Sequence, residues 1–332
     1  MRARLSRILL LAIAFWIGPL MMPQTAAAPL FGASEPLYPL KLSDALLLGT
    51  VEGVSEFLPV SSTGHLIVLT DYLELDNERM FYDSKGQPLW YRKPEAGRPG
   101  ELLTPKLANQ AYIVVIQIGA ILAIIPICWS QLTLMWRGAV RRDIRGQRLF
   151  LNLLIAFLPS AFFGLLLHDW IDANLFSKGA VIFGLISGSL VMFLADRWGR
   201  WLAQQGRHTE LTPHGAAWIG FLQCFAMWPG IGRPMTTIVG GYLVGLPPAP
   251  AAGFSFLLGF VTLTAATLYK FYKSGPVIIE IFGWQSLIIG IVAAAVTAFV
   301  SVRFFIKLLL EKGLAPFAWY RLAFAAILLL IA

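Results

Sequence analysis

Long apolar stretches recur along the chain, and they constrain its fold more than any other feature of the sequence. A helix needs about 20 predominantly apolar residues to cross the hydrocarbon core of a bilayer. Stretches that approach or reach this length lie at residues 111–129, 149–167, 179–194, 253–268, 277–300 and 314–332. Hydrophobic residues make up 57% of the chain and charged residues only 13%, whereas soluble domains carry about 25% charged residues. The sequence therefore predicts an all-α integral membrane protein and excludes a soluble globular domain.

The net charge of +8 is clustered in a way that predicts membrane topology. Lysine and arginine collect in cytoplasmic loops, and they are concentrated here in residues 137–148, 197–207 and 303–312. The polar segment 72–106 then lies on the outer side. A basic chain also suits an anionic lipid, but topology alone accounts for the charge, and no nucleic-acid partner is predicted. The two cysteines lie in apolar segments and indicate neither a disulfide nor a metal site.

The first residues have the pattern of a targeting segment. Three arginines precede an apolar run at residues 8–22, and three alanines follow it. This pattern is typical of a secretory signal peptide, and an uncleaved anchor helix is the alternative. We therefore interpret residues 1–39 as a leader or anchor with its linker and residues 40–332 as the polytopic membrane domain.

Two further apolar regions, residues 43–69 and 215–246, are interrupted by proline and glycine at residues 58–64 and 229–234. Each half is roughly 12–15 residues long, too short to cross a bilayer once. Both regions are therefore predicted to be re-entrant helix–loop–helix hairpins, which lipid tolerates only where the broken backbone lines a cavity or is buried in protein.

The two hairpins predict an inverted-topology repeat. The first is entered from outside, the second follows a cytoplasmic loop, and each precedes three transmembrane helices. The predicted repeats are residues 40–212 and 213–332. In such folds the broken helices meet near the membrane midplane and form the binding site.

The first hairpin carries an acidic pair, Glu52 and Glu56, on one helix face. A charged side chain inside a membrane costs about 2.5–3.5 kcal/mol on insertion scales. A divalent cation, Mg²⁺ or Ca²⁺, would offset that cost because carboxylate oxygens are its preferred ligands. The alternative is that both glutamates lie at the water interface without a role.

Hydroxyl groups follow the acidic pair. Pro59 ends the first short helix, and Ser61, Ser62 and Thr63 supply hydroxyls at the start of the next, where free N–H groups favour phosphate. Ser62 and His65 are one helical turn apart, as a nucleophile and its base would be. The alternative is that the hydroxyls only cap the helix and that the histidine is structural.

The second hairpin carries one guanidinium, that of Arg233, within an apolar segment. Such a group needs an anionic partner, and its planar fork matches a phosphate. A salt bridge to Glu52 or Glu56 is the alternative, and it would place the three groups in one pocket.

Residues 52–65 resemble the first signature of the undecaprenyl-diphosphate phosphatases. That signature is a glutamate, three residues, then Glu-Phe-Leu-Pro-x-Ser-Ser-Thr-Gly-His, and the match has no gap. Two more segments that the family implies are present at residues 114–117 and 254–258. The resemblance covers nearly all of the chain beyond residue 40.

The resemblance implies an activity, a location and roles for the residues. The family removes the terminal phosphate of a polyprenyl diphosphate lipid at the outer face of the bacterial cytoplasmic (inner) membrane and requires a divalent cation. Carried over by position, Glu52 and Glu56 handle the metal and the diphosphate. Ser62 is the proposed nucleophile, with His65 as its acid/base partner. The predicted substrate-binding residues are Arg233, Ser61, Thr63 and Thr237.

The second signature of the family, Pro-Gly-x-Ser-Arg-Ser-Gly, is altered here. Residues 229–235 read Pro-Gly-Ile-Gly-Arg-Pro-Met, so that two serines are lost and a proline follows the arginine. Thr236 and Thr237 are candidates to supply the missing hydroxyls. Two alternatives to the leading interpretation, a phosphatase, therefore stay open. One is a diverged paralogue that transports or flips a polyprenyl phosphate or hydrolyses another lipid diphosphate, and the other is a protein with an inactive site. The expected partners are the lipid substrate and membrane lipids, and a homodimer is compatible with the sequence.

Overall fold

The part of the chain that the structure describes is mostly helical. The computed structural model describes residues 40–75, 80–81, 88–92, 94, 100–175, 177–205 and 210–331, so the predicted leader or anchor lies outside the described residues. The helices are α1 (Leu42–Ser55), α2 (Ser62–Tyr72), α3 (Pro105–Ile127), α4 (Trp129–Arg141), α5 (Ile144–Asn174), α6 (Lys178–Gln204), α7 (Pro213–Cys224), α8 (Arg233–Leu243), α9 (Pro248–Lys312) and α10 (Ala315–Ile331). A short antiparallel pair, β1 (Trp90–Arg92) and β2 (Glu101–Leu102), precedes α3.

The prediction of an all-α membrane protein is confirmed. Within the described residues, five helices are long and apolar enough to cross a bilayer, and an apolar helix of 10–17 residues, Ala315–Leu330, accompanies them. The five are Pro105–Ile127, Ile144–Leu167, Lys178–Gln204, Pro248–Tyr269 and Ile281–Lys312. The opposite orientation of the two repeats stays a prediction.

Two boundaries differ from those predicted. The apolar stretch predicted at residues 277–300 lies within α9, which is interrupted at Gly283, whose φ of 72° and ψ of 161° are not helical. The basic segment at residues 137–148 is largely helical: α4 ends at Arg141, Arg142 caps it in a left-handed conformation, and α5 starts at Ile144. Trp129 and Trp136 on α4 are 61% and 71% exposed, as expected of tryptophans at a membrane interface.

The two interrupted regions form helix–loop–helix units as predicted, α1–α2 and α7–α8. In each unit the second helix starts directly after a residue with positive φ. Ser61 has φ 71° and ψ 96°, and Gly232 has φ 83° and ψ 130°. The two loops therefore place their second helices with similar backbone geometry.

Small residues bring α1 against the second part of α9. A Cβ atom added at Gly49 would clash with the carbonyl of Gly290, and one added at Gly53 would clash with that of Ala294. This spacing of small residues lets two helix backbones touch, which is a common way to pack helices in lipid. The close packing fixes the helix that carries the acidic pair.

Candidate functional site

The two loops meet through an ion pair. The Nη2 atom of Arg233 contacts Oε1 of Glu56, and the two side chains are only 15% and 5% exposed. Arg233 also donates from Nη1 to Oγ1 of Thr262 on α9, at 2.9 Å. The structure therefore realises the salt-bridge alternative of the sequence analysis and brings the acidic and basic residues into one site.

Glu56 also binds the predicted nucleophile. The Ser62 hydroxyl donates to Oε2 of Glu56 at 2.5 Å. One oxygen of this carboxylate therefore binds a residue of the first helix–loop–helix unit, and the other binds a residue of the second. Ser62 is the first residue of α2, and Arg233 is the first residue of α8. Two helix N-termini thus converge on one carboxylate, and N-termini favour anions through their free N–H groups and the helix dipole.

Glu52 has a different environment. It is 1% exposed, and neither carboxylate oxygen has a hydrogen-bond partner of normal geometry among the described residues. The side chains of Gln117 and Glu56 lie near enough for weaker hydrogen bonding to it, and the charges of Glu56 and Arg233 act on it. A buried carboxylate without a hydrogen bond of normal geometry needs compensation, and these oxygens fit a hard divalent cation.

Two carboxylates are too few to bind a metal ion without further ligands from water or substrate. The described residues contain no group of three or more histidine, cysteine, aspartate or glutamate side chains that could hold a metal ion. Mg²⁺ commonly binds through one or two carboxylates, with water and substrate phosphate completing its shell. Glu52 and Glu56 fit that pattern, with Glu52 offering the uncommitted oxygens.

His65 is buried, but its two ring nitrogens bind other partners than Ser62. Nδ1 lies 2.7 Å from the Ser61 carbonyl, and Nε2 lies 2.8 Å from the Tyr320 hydroxyl. Because a carbonyl only accepts, Nδ1 carries the hydrogen, and Nε2 of the neutral ring accepts from Tyr320. The ring also stacks on Phe324 with 4.1 Å between centroids. The sequence analysis paired Ser62 with His65 as nucleophile and base, whereas the structure joins Ser62 to Glu56 and His65 to Tyr320.

The other predicted binding residues support the loops. Ser61 caps α2 by accepting from the Gly64 amide at 3.4 Å, and Thr63 is half-buried in the first turn of that helix. Thr237 is 1% exposed, and its hydroxyl donates to the Arg233 carbonyl at 2.9 Å and lies 2.6 Å from that of Ser255. Thr236 donates to the same Arg233 carbonyl at 2.9 Å. The hydrogens of both threonine hydroxyls are committed to the backbone of α8, so this geometry does not direct them to a phosphate.

Three residues near the site were missed by the sequence analysis. Thr262 holds the guanidinium of Arg233, Tyr320 holds His65, and Arg321 binds the backbone of both loops. One of them carried a signal, because Arg321 is the single charged residue in the apolar stretch 314–332. An ionisable residue inside a membrane helix is a functional candidate by default.

The fold and the site together define a class: a polytopic α-helical membrane protein with a polar site between two broken helices. The sequence profile of the family described as "Bacitracin resistance protein BacA" matches residues 45–327. The chain belongs to this family.

Relatives resemble the chain over most of its length. A protein of Sorangium cellulosum named undecaprenyl-diphosphatase is 41% identical over 289 residues, which cover 86% of this chain and 85% of the relative. A protein of the same name from Clostridium tetani is 34% identical over 88% of this chain and 97% of its own. One from Ectopseudomonas mendocina is 37% identical over 86% and 92%.

Proposed function

We propose that the chain is an undecaprenyl-diphosphate phosphatase. It hydrolyses undecaprenyl diphosphate with one water to undecaprenyl phosphate and inorganic phosphate, and so recycles the lipid carrier of cell-wall synthesis. The family match and the names of its relatives support this function. The observation that carries it is the Glu56 carboxylate, which binds the Ser62 hydroxyl and the Arg233 guanidinium at once.

Ser62 attacks the terminal phosphorus. As the bond from Oγ to phosphorus forms, Glu56 takes the hydroxyl proton, and the anhydride bond breaks to release undecaprenyl phosphate. Glu56 passes this proton to the departing lipid phosphate. Water then attacks the phosphoserine, and Glu56 takes a proton from the water and delivers it to Oγ as the bond from Oγ to phosphorus breaks, which restores the hydroxyl and releases inorganic phosphate. A carboxylate at 2.5 Å from the hydroxyl is positioned for this proton transfer.

Arg233 binds the diphosphate. Its guanidinium matches phosphate oxygens, and the N-termini of α2 and α8 add N–H donors on either side. A divalent cation at Glu52 and Glu56 would supply charge neutralisation of the diphosphate when bound. Tyr320 fixes the His65 ring, which keeps the Ser61 carbonyl and the start of α2 in place.

The reaction takes place at the outer face of the cytoplasmic membrane in this proposal. The positive clusters at residues 137–148 and 303–312 support that orientation, because basic loops stay in the cytoplasm. Transport alone would not require a hydroxyl bound to a buried carboxylate beside an arginine, so the Ser62–Glu56 contact favours the enzyme over the transporter.

Phosphate release by the purified full-length chain tests the function. With undecaprenyl diphosphate in detergent micelles, we expect release that stops with EDTA and returns with excess Mg²⁺ or Ca²⁺. Ser62→Ala should lower kcat by at least about 100-fold. Ser43→Ala, which removes an exposed hydroxyl bonded to its neighbour Asp44, serves as the matched control. Intact diphosphate moving across a proteoliposome membrane without phosphate release would contradict the proposal.

A further inference from the structure

Arg321 has an unusual set of partners. Its side chain is 0% exposed within α10. Within the described residues it makes five hydrogen bonds, all to backbone carbonyls. The distances are 3.2 Å to Pro59 and 2.6 Å to Ile231 from Nη1, 2.8 Å to Gly184 and to Gly230 from Nη2, and 3.4 Å to Leu185 from Nε.

These carbonyls belong to three separate parts of the chain. Pro59 lies in the first loop, two residues before Ser61, and Ile231 lies in the second loop, two residues before Arg233. The remaining partners include two residues of α6. One guanidinium therefore ties the first loop to the second and both to a transmembrane helix, directly before the residues that start α2 and α8.

The fold provides a fitted space for this guanidinium. A Cβ atom added at Gly188 on α6 would clash with Nη2 of Arg321. A planar group with five N–H donors suits several carbonyls in fixed directions, whereas a lysine ammonium has three donors at a single point. The arrangement thus depends on the shape of arginine as well as on its charge.

The role of Arg321 can be tested separately from the effect of its charge. The salt bridges of the described residues do not include Arg321, so its bonds go to neutral groups. Replacement by lysine keeps the positive charge and loses the fork. Replacement of Gly188 by alanine keeps the arginine but places a methyl group where its guanidinium lies.

We propose that Arg321 is a positioning residue that holds the two loops at the separation at which Glu56 meets both Ser62 and Arg233. It acts on the reaction through these residues. The kinetic part of the proposal rests on the proposed function, and the structural part, coupling of the two loops through one side chain, stands independently.

Two variants and two controls test the proposal. Arg321→Lys removes the fork, and Gly188→Ala displaces it. Arg303→Lys is the control for the first, because Arg303 lies over the Phe299 ring with an exposed side chain. Gly179→Ala is the control for the second, because it is on the same helix and an added Cβ there meets no atom within 4 Å.

Two readouts are compared on the folded fraction from gel filtration. For Arg321→Lys and Gly188→Ala we expect kcat to fall by at least about 10-fold with KM changed less than about threefold, since misplacement by about 1 Å can cost up to 100-fold. Hydrogen–deuterium exchange should rise in both segments, residues 56–62 and 229–234. The controls should change neither readout.

A kcat within about threefold of the wild type in the folded variants would overturn the proposal, as would an exchange increase confined to one loop. Loss of all folded protein in both variants would assign Arg321 a purely structural role and overturn it as well. Wild-type protein that releases no phosphate while the variants loosen both loops would instead refute the proposed function and leave the coupling supported.

Discussion

Glu52 and Glu56 are one helical turn apart, yet the fold gives their carboxylates different surroundings. Glu56 has partners on both oxygens, whereas neither oxygen of Glu52 has a hydrogen-bond partner of normal geometry among the described residues. Removal of one partner from a buried ion pair is strongly destabilising, because the other charge is left uncompensated. Neutralisation of an unpartnered buried carboxylate removes a desolvation cost instead. Substitution of the two residues should therefore affect stability differently, although both residues are needed for activity.

We predict different effects of the two glutamine variants on the free energy of unfolding. Without divalent cations, Glu56→Gln should lower the free energy of unfolding by on the order of 3 kcal/mol, and Glu52→Gln should leave it unchanged or raise it. Both should lower phosphate release. Chemical denaturation in detergent gives the first quantity, with the exposed Glu311→Gln as the control. Equal destabilisation by the two variants would show that their environments do not differ as described.

At the level of single residues the sequence predicted the members of the site better than their pairings. The cost of charge in lipid singled out Glu52, Glu56 and Arg233, and the structure brings them together. Helical spacing also suggested a Ser62–His65 pair. Spacing along one helix cannot reveal a competing partner from another, and Tyr320, 255 residues further along the chain, takes Nε2 of His65.

The two broken elements share one backbone feature, the positive φ before their second helices. In the first loop a serine adopts it, and in the second a glycine does so. Glycine accepts positive φ without the steric cost that other residues bear. Pro234 falls in the first turn of α8, where a missing N–H costs little because that donor has no partner within the helix. The altered second signature is thus compatible with an intact loop, although it removes two hydroxyls.

This conformation predicts an order of stability for substitutions at Ser61. Both Ser61→Gly and Ser61→Ala remove the cap on Gly64, but alanine must also adopt a φ of 71°. At Ser61 we expect the alanine variant to have a lower free energy of unfolding than the glycine variant. This alanine–glycine difference should exceed the corresponding difference at Ser177 by about 1 kcal/mol. Ser177 caps α6 with an ordinary φ of −122° and is the matched site.

Thermal unfolding of the four variants measures that difference. A gap at Ser61 no larger than the gap at Ser177 would mean that the serine backbone is not strained.

Among the helical elements, the sequence predicted both hairpins because proline and glycine interrupt apolar runs. It did not predict the break at Gly283, since a lone glycine is tolerated within a helix and its conformation depends on packing.

The whole molecule assembles its site from distant segments. Glu56 and Ser62 come from the first hairpin, Arg233 from the second, and Tyr320 and Arg321 from the last helix. Composition alone predicted the membrane class, because too few charges are present for a soluble surface. The contribution of Tyr320 was not predicted, because an apolar stretch contains no periodic signal for which residues face a site, whereas Arg321 carried the signal of a lone charge in such a stretch.

A double-mutant cycle on kcat/KM shows whether the two hairpins form one catalytic unit. Glu56→Gln and Arg233→Met each remove one side of the contact between the loops. Residues that act as a unit show strongly non-additive losses. We predict that kcat/KM of the double variant lies within about threefold of that of the less active single variant. Losses that multiply would contradict the account, because they would show that the two residues act independently.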